Sequence, residues 1–260
     1  MTNTVCYVVN SGKIGGGNRA LLGLIDGLDR MRFRPVAIAP ANSAMGAAVA
    51  ASPCFVTLTN ETTWYYVLDR PSCTRYFAVT NARASPAQEE FVGVLDAKRP
   101  QWILFESRAW SNALDGVSLF DGTPAIVAYV LSRYEPDADV AGNWFWRRAA
   151  EPSAWSDERI GEVRSHARTA RRMQDARIDG VLRAGEAQPL PAALLVTAGD
   201  PPRPLWAGRP DAASWRAGLW SATLPTAALP AGTHRVQAGA RRDAPARWIR
   251  LGEAVEVRIE

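Results

Sequence analysis

Gly15, Gly16 and Gly17 stand between a short apolar run, Thr4 to Asn10, and a stretch of helical spacing that opens at Asn18. Without side chains there, backbone N–H groups can approach a ligand, and the helix N-terminus that follows favours an anion such as a phosphate. Asn18 and Arg19, at the head of that helix, complete the candidate anion site. The spacing is neither G-x-G-x-x-G nor a loop closed by Gly-Lys-Ser/Thr, so the same residues also read as a flexible turn of an α/β fold. A second candidate is acidic. Asn60 and Glu61 follow the run Cys54 to Thr59, and Glu106 ends the run Gln101 to Glu106 (QWILFE). If both runs are parallel strands, these side chains meet at the carboxyl edge of the sheet, where α/β proteins bind ligands. A glutamate there can act as a general base if burial raises its pKa, or it can serve in caps and surface ion pairs. Trp64, Trp110, Trp144 and Trp146 lie near turns, where they could stack on sugar rings or anchor a core. Trp110 is kept as a ligand-binding candidate.

The remaining chemistry is sparse. His166 and His234 are the only histidines and lie in different surroundings, so no Ser/His/Asp triad and no metal site is expected. Cys6, Cys54 and Cys73 are an odd, widely spaced set without a C-x-x-C pair, which reads as buried free thiols. No catalytic residue is assigned, and no cofactor is expected.

These candidates need elements to hold them. Thr4 to Asn10 and Pro35 to Ala39 read as strands, joined by a helix from Asn18 to Asp29 with Leu21, Leu22, Ile25 and Leu28 on one face. Further helices are expected at Ser43 to Ala51, at Glu61 to Leu68 and from Ser85, where Ser, Pro and Gln are placed as cap, first turn and capping box. Strands are expected at Cys54 to Thr59, Arg75 to Val79 and Gln101 to Glu106, and Ala125 to Tyr134 is a helix or a further strand. The alternation predicts an α/β Rossmann-like layered domain over residues 1–150 with a mainly parallel sheet. Between Ser156 and Arg177, Ile160, Val163, Ala167 and Ala170 form a narrow stripe among arginines, which predicts a helical linker over 151–179. Residues 180–260 carry short strand-like runs split by Pro and Gly turns, including the alternating Val255, Val257 and Ile259. They predict a small all-β sandwich domain.

The 260 residues are 47% hydrophobic and 22% charged, ordinary for a globular protein. The net charge of +4 rests almost wholly on arginine, since Lys13 and Lys98 are the only lysines, and acids are interleaved with it. That pattern argues against nucleic acid. No run reaches the ~18–20 apolar residues of a membrane span, and no basic n-region precedes Val5 to Val9, so the expected location is the cytoplasm. Peripheral membrane contact is compatible with the sequence but not indicated by it.

Two segments resemble known families. Val8-Val9-Asn10-Ser11 through Ile14-Gly15-Gly16-Gly17-Asn18-Arg19-Ala20-Leu21, with Phe33-Arg34-Pro35-Val36, resembles the start of GT-B glycosyltransferases of the family 4 type. The resemblance implies that the glycine loop lies near a cleft where acceptor and nucleotide sugar meet. The family's E-x7-E pair has no counterpart here, so its donor site is not carried over. Leu58-Thr59-Asn60-Glu61, Tyr65 to Pro71, Thr74-Arg75-Tyr76, Trp110-Ser111-Asn112-Ala113 and Asn143 to Arg148 resemble the soluble region of GT-C membrane glycosyltransferases, which use polyprenyl-phosphate sugars. Together they imply a glycosyltransferase-related protein that binds a sugar, sugar nucleotide or polyprenyl-phosphate sugar, its catalysis open because the donor-binding half is missing. The alternative is a non-catalytic accessory or interaction module that binds glycan or a protein partner.

Overall fold

The computed structural model describes residues 3–7, 33–37, 52–68, 70–107, 113–114, 117–140, 142–172, 174–186, 189–200, 202–226, 229–242 and 247–260. Strands β1 (Asn3–Tyr7) and β2 (Phe33–Ala37) pair in parallel, with Asn3 opposite Phe33. These are the two strands expected at the N-terminus. The glycine loop and the helix expected between them lie outside the described residues, as does the helix expected at 43–51.

The next elements are β3 (Val56–Thr57), helix α1 (Thr63–Val67), helix α2 (Ser85–Lys98) and β4 (Trp102–Glu106). A small hairpin, β5 (Ala113–Leu114) with β6 (Val117–Ser118), leads into α3 (Leu119–Gly122) and α4 (Pro124–Arg133). Strands β7 (Tyr134–Val140) and β8 (Asn143–Arg148) follow as a hairpin. One sheet runs β3-β4-β8-β7, and only its β3–β4 pair is parallel. Its alternating side chains feed two cores. Val56, Ile103, Phe105, Trp144 and Trp146 face Phe91 and Leu95 of α2 and Ile126, Val127 and Val130 of α4. Phe55, Leu104 and Phe145 pack with Tyr65 of α1 on the other face. Covering on both faces explains why β4 is apolar along nearly its whole length rather than alternating.

The rest of the described chain is almost entirely strand. It comprises β9 (Ala154–Ile160), β10 (Glu162–His166), β11 (Thr169–Ala170), β12 (Ala176–Val181), β13 (Ala193–Ala198) and β14 (Arg203–Gly208). A short helix α5 (Ala212–Arg216) precedes β15 (Leu219–Leu224), β16 (Gly232–Arg242), β17 (Arg247–Leu251) and β18 (Val255–Ile259). Seven strands form one sheet, with path β11-β18-β16-β13-β14, β17 paired to β16 and β9 paired to β17. The three-stranded sheet β10-β12-β15 lies against it. Ile178, Trp220, Ala222 and Leu224 of the small sheet meet Leu194, Val196, Val236, Ala238, Val257 and Ile259 of the large one. That is a β-sandwich, as expected for the C-terminal part.

The other face of the large sheet is not bare. Ala193, Leu195, Ala207 and Trp248 belong to the same core as α2, α4 and β4. Arg241, on that face of β16 and 1% exposed, reaches across to Glu135 of β7, with Nη2 3.6 Å from Oε2. It also donates to the Ser153 hydroxyl and stacks over the Trp248 ring at 5.4 Å. Glu135 in turn accepts from Arg147 at 2.8 Å. An apolar core and a largely buried ionic contact therefore join the two halves.

Several expectations are overturned. The fold is not a Rossmann-like layered α/β domain with a mainly parallel sheet, because strands outweigh short helices and most pairings are antiparallel. The stretch expected to be the helical linker, 151–179, contains β9, β10, β11 and β12 instead. Its helical stripe loses to pairing: β9 runs beside β17 and β10 beside β12. Gly161 turns the chain between them at φ +66, where a Cβ would sit 2.3 Å from the Val181 carbonyl oxygen. Residues 75–78 form no strand and lead into a 3-10 turn at Val79–Ala82. The N-cap of α2 is Ala84 rather than Ser85, without a side-chain cap. Gln88 instead donates to the Arg83 carbonyl at 2.8 Å and accepts from the Ala125 N–H at 3.0 Å, which locks α2 onto the start of α4.

The cysteines differ too. Cys54 and Cys73 are not free thiols but a disulfide, with Cα atoms 4.9 Å apart. Phe55 N–H donates to Pro71 O and Cys73 N–H to Phe55 O, both at 3.0 Å. This two-bond contact between segments far apart in sequence brings the sulfurs together. No described helix is long and apolar enough to cross a membrane.

Candidate functional site

Two of the three described acidic-edge candidates are structural. Glu61 is buried, and its carboxylate accepts from the Ser107 hydroxyl, so it fastens the end of β3 to the end of β4. The Thr57 and Thr59 hydroxyls lie 2.8 Å apart, and Thr59 Oγ1 accepts from the Glu61 N–H, so this turn satisfies its own polar groups. Asn60 Oδ1 accepts from Thr80 Oγ1 at 2.9 Å beside a cleft of about 10 Å³, room for about one water molecule. Glu106 behaves differently. It ends β4, half-exposed, and lines a groove of about 560 Å³. Gly15, Gly16, Gly17, Asn18, Arg19 and Trp110 lie outside the described residues.

The groove lies between the β4 layer and the sandwich. Glu106, Ser118 and Phe120 come from the first. Asp175, at the start of β12, and Thr223, on β15, come from the small sheet, while Leu205 to Arg209 come from β14 and its end. Trp206 on β14 is only partly buried and packs against the sandwich core that takes Leu205, while Ala207 joins the other core. Its indole lies back along its own strand over Gly208, where an added Cβ would come within 2.2 Å of Trp206 Cζ2. Glycine at 208 is what allows that pose. Phe120, nearly buried, packs edge-on against Phe105 at 6.5 Å and adds an apolar patch to the wall.

The polar groups are unevenly compensated. Arg209 stacks over the Trp144 ring at 5.1 Å, donates to Asp139 and comes within 4.0 Å of Glu106. One guanidinium thus serves two carboxylates. Glu106 is 42% exposed, and among the described residues its one ion-pair contact is that 4.0 Å approach. Among the described residues Asp175 has no hydrogen-bond or ion-pair partner, and it is exposed. The Ser118 hydroxyl is occupied, since it caps α3 through the Asp121 N–H at 3.1 Å.

Of the tryptophans proposed as sugar platforms, Trp144 and Trp146 are buried and pack on Phe105, and Trp64 packs edge-on against Phe145. They are core anchors. Trp206, Arg209 and Asp175 were not among the sequence candidates. The available signal was Trp206-Ala207-Gly208 between two Pro-containing turns, a large aromatic beside a glycine, but nothing in it links to Glu106 a hundred residues earlier. Among the described residues no group of three or more His, Cys, Asp or Glu is placed to hold a metal.

No protein-family model matches the chain. No curated protein matches it. Among solved structures, part of the chain is similar to the endo-beta-1,4-mannanase from Thermotoga petrophila, at 8% identity and a TM-score of 0.27. That alignment covers 39% of this chain and 19% of the mannanase, so the chain spans about a fifth of that protein's length. The glycosyltransferase character expected from the two segments gains no support from these comparisons.

Proposed function

We propose that the protein is a non-catalytic carbohydrate-binding module, with the groove beside Trp206 as its sugar site. The observation that carries this reading is an indole laid along β14 in a 560 Å³ groove whose other walls offer carboxylates, a guanidinium and a hydroxyl. A pyranose has one apolar face for an aromatic ring and a rim of hydroxyls for planar polar groups, and ligand sites combine these features. Binding is preferred to hydrolysis because Glu106 and Asp175 are both open to solvent, whereas a glycosidase acid is set in an apolar pocket. The test is titration of the folded protein with a panel of neutral oligosaccharides, followed by calorimetry and tryptophan fluorescence. A bound sugar should lose about ten-fold or more of its affinity in Trp206→Ala. Absence of binding across the panel, or unchanged affinity in that variant, rejects the reading.

The Cys54–Cys73 disulfide supports maturation in an oxidising compartment rather than the expected cytoplasm, since cytosolic thiols are kept reduced. Mass spectrometry of unreduced peptides from the native source should recover residues 54 and 73 linked. Two free thiols there would restore the cytoplasmic expectation.

A further inference from the structure

We infer that the groove selects a sugar carrying a free amino group and discriminates against phosphorylated sugars; this rests on the carbohydrate reading above. The charged residues lining the groove are Glu106, Asp175 and Arg209. Arg209 is already committed to Asp139, to the Gly142 carbonyl oxygen at 3.4 Å and to the Trp144 ring, and it meets Glu106 only at 4.0 Å. Its charge is therefore turned towards carboxylates on the β4 side. Asp175 enters from the other sheet with no counter-charge among the described residues. Arg209 thus serves Asp139 and Glu106, and Asp175 has no ion-pair partner among the described residues.

Both lining carboxylates are open to solvent, and a ligand ammonium is the group that gains from either. A neutral hydroxyl gains only hydrogen bonds. A phosphate meets like charge, and the one cation it would seek is held by Asp139. Trp206 gives the sugar ring its platform, and Thr223, beside Asp175 in the lining, offers a hydroxyl to the ring's rim. A carboxylate about 4 Å from an ammonium in well-solvated surroundings is worth about five-fold in affinity.

The experiment is calorimetry of the full chain with glucosamine oligomers, their N-acetylated counterparts, glucose oligomers of equal length, glucose 6-phosphate and spermidine. Each is run at low salt and at 1 M salt. The glucosamine oligomer is expected to bind at least about five-fold tighter than the neutral ones, with the advantage shrinking at high salt. Asp175→Asn, which removes the charge and keeps a planar hydrogen-bonding group, should weaken the glucosamine oligomer more than the neutral ones and so remove most of that advantage, and Glu106→Gln should act in the same direction. Equal affinity for amine and neutral oligomers, or tighter binding of the phosphate, overturns the inference and leaves the carbohydrate reading standing. Binding of spermidine with no binding of any sugar overturns both, and identifies a polyamine-type ligand. No binding by any of the five also overturns both.

Discussion

Removing the Cys54–Cys73 disulfide tests the fold where the structure departs most sharply from expectation. The bond closes a loop with a sequence separation of 19 residues. Holding the ends of such a loop together removes about 11 cal/mol/K of entropy from the unfolded chain, or about 3 kcal/mol at 25 °C. Both sulfurs are nearly buried, so a double Cys54→Ala, Cys73→Ala variant also vacates a little apolar volume. The native state should survive, because Phe55 keeps its two backbone bonds to Pro71 and Cys73, and the Lys98 ammonium still caps Cys73 O at 2.6 Å. The assay is urea and thermal unfolding of the parent, the reduced parent and the double variant. For a chain of this size about 3 kcal/mol corresponds to a melting temperature lower by roughly 6–12 °C. The reduced parent should fall beside the double variant. A parent indifferent to reductant, with the double variant equally stable, would show that the two cysteines are unbonded and refute the reasoning. A reduced parent that loses its native spectrum altogether would show that the local backbone contacts cannot hold the segment alone.

Three further outcomes are expected. Burial pushes the Tyr134 phenol up to about 12 while its hydroxyl donates to the Pro100 carbonyl at 2.9 Å. The folded state thus favours the neutral phenol, so its contribution is intact below pH about 10 and lost as pH rises towards 12. Tyr134→Phe should flatten the decline in stability over that window, measured by urea unfolding at stepped pH. Arg241→Ala breaks the contact with Glu135 in the joint between the halves and should cost about 3 kcal/mol, whereas Arg241→Met, which keeps the stem over Trp248, should recover part of it; equal losses would mean that the stem's packing adds nothing and the guanidinium's contacts alone matter there. Gly208→Ala should lift the Trp206 indole off its strand, changing tryptophan fluorescence and weakening sugar binding with a stability loss within about 1–3 kcal/mol.

Legibility followed local patterns. Strands β13, β15, β16 and β18 of the C-terminal part announced themselves by strand-like runs between Pro and Gly turns, and the buried run at β4 by its unbroken apolar residues; β12, β14 and β17 did not. Helices α1 and α2 lay where expected. The error over 151–179 has a physical root. Ile160, Val163, Ala167 and Ala170 fall at helical spacing, but local propensity is a weak prior, and Gly161 in a helix interior would itself cost about 1 kcal/mol. The partners that decide the outcome, β17 for β9 and β12 and then β15 for the small sheet, follow later in the chain and cannot be read from a local window. The same blindness hid the disulfide, because sparse cysteines declare a bond only once the backbone places their Cα atoms together.

The groove was illegible for a deeper reason, and the sandwich explains why. Its walls come from β4, from the α3 region, from β12, from β14 and from β15, and no two of these are neighbours in the sequence. They meet because the large sheet uses both faces. One face packs on the small sheet, and the other supplies Ala193, Leu195, Ala207 and Trp248 to the core beneath α2 and α4. Strand β14 sends Leu205 to the sandwich core and Ala207 to the other. Trp206 and Arg209 are thereby held at the seam. Glu106 was singled out for its place at the end of a strand, and it does reach a cavity, but by way of this seam rather than a parallel-sheet edge. The site therefore depends on the joint between the halves. Loosening Arg241 from Glu135 should weaken sugar binding through the loss of that seam even where Trp206, Glu106 and Asp175 are untouched.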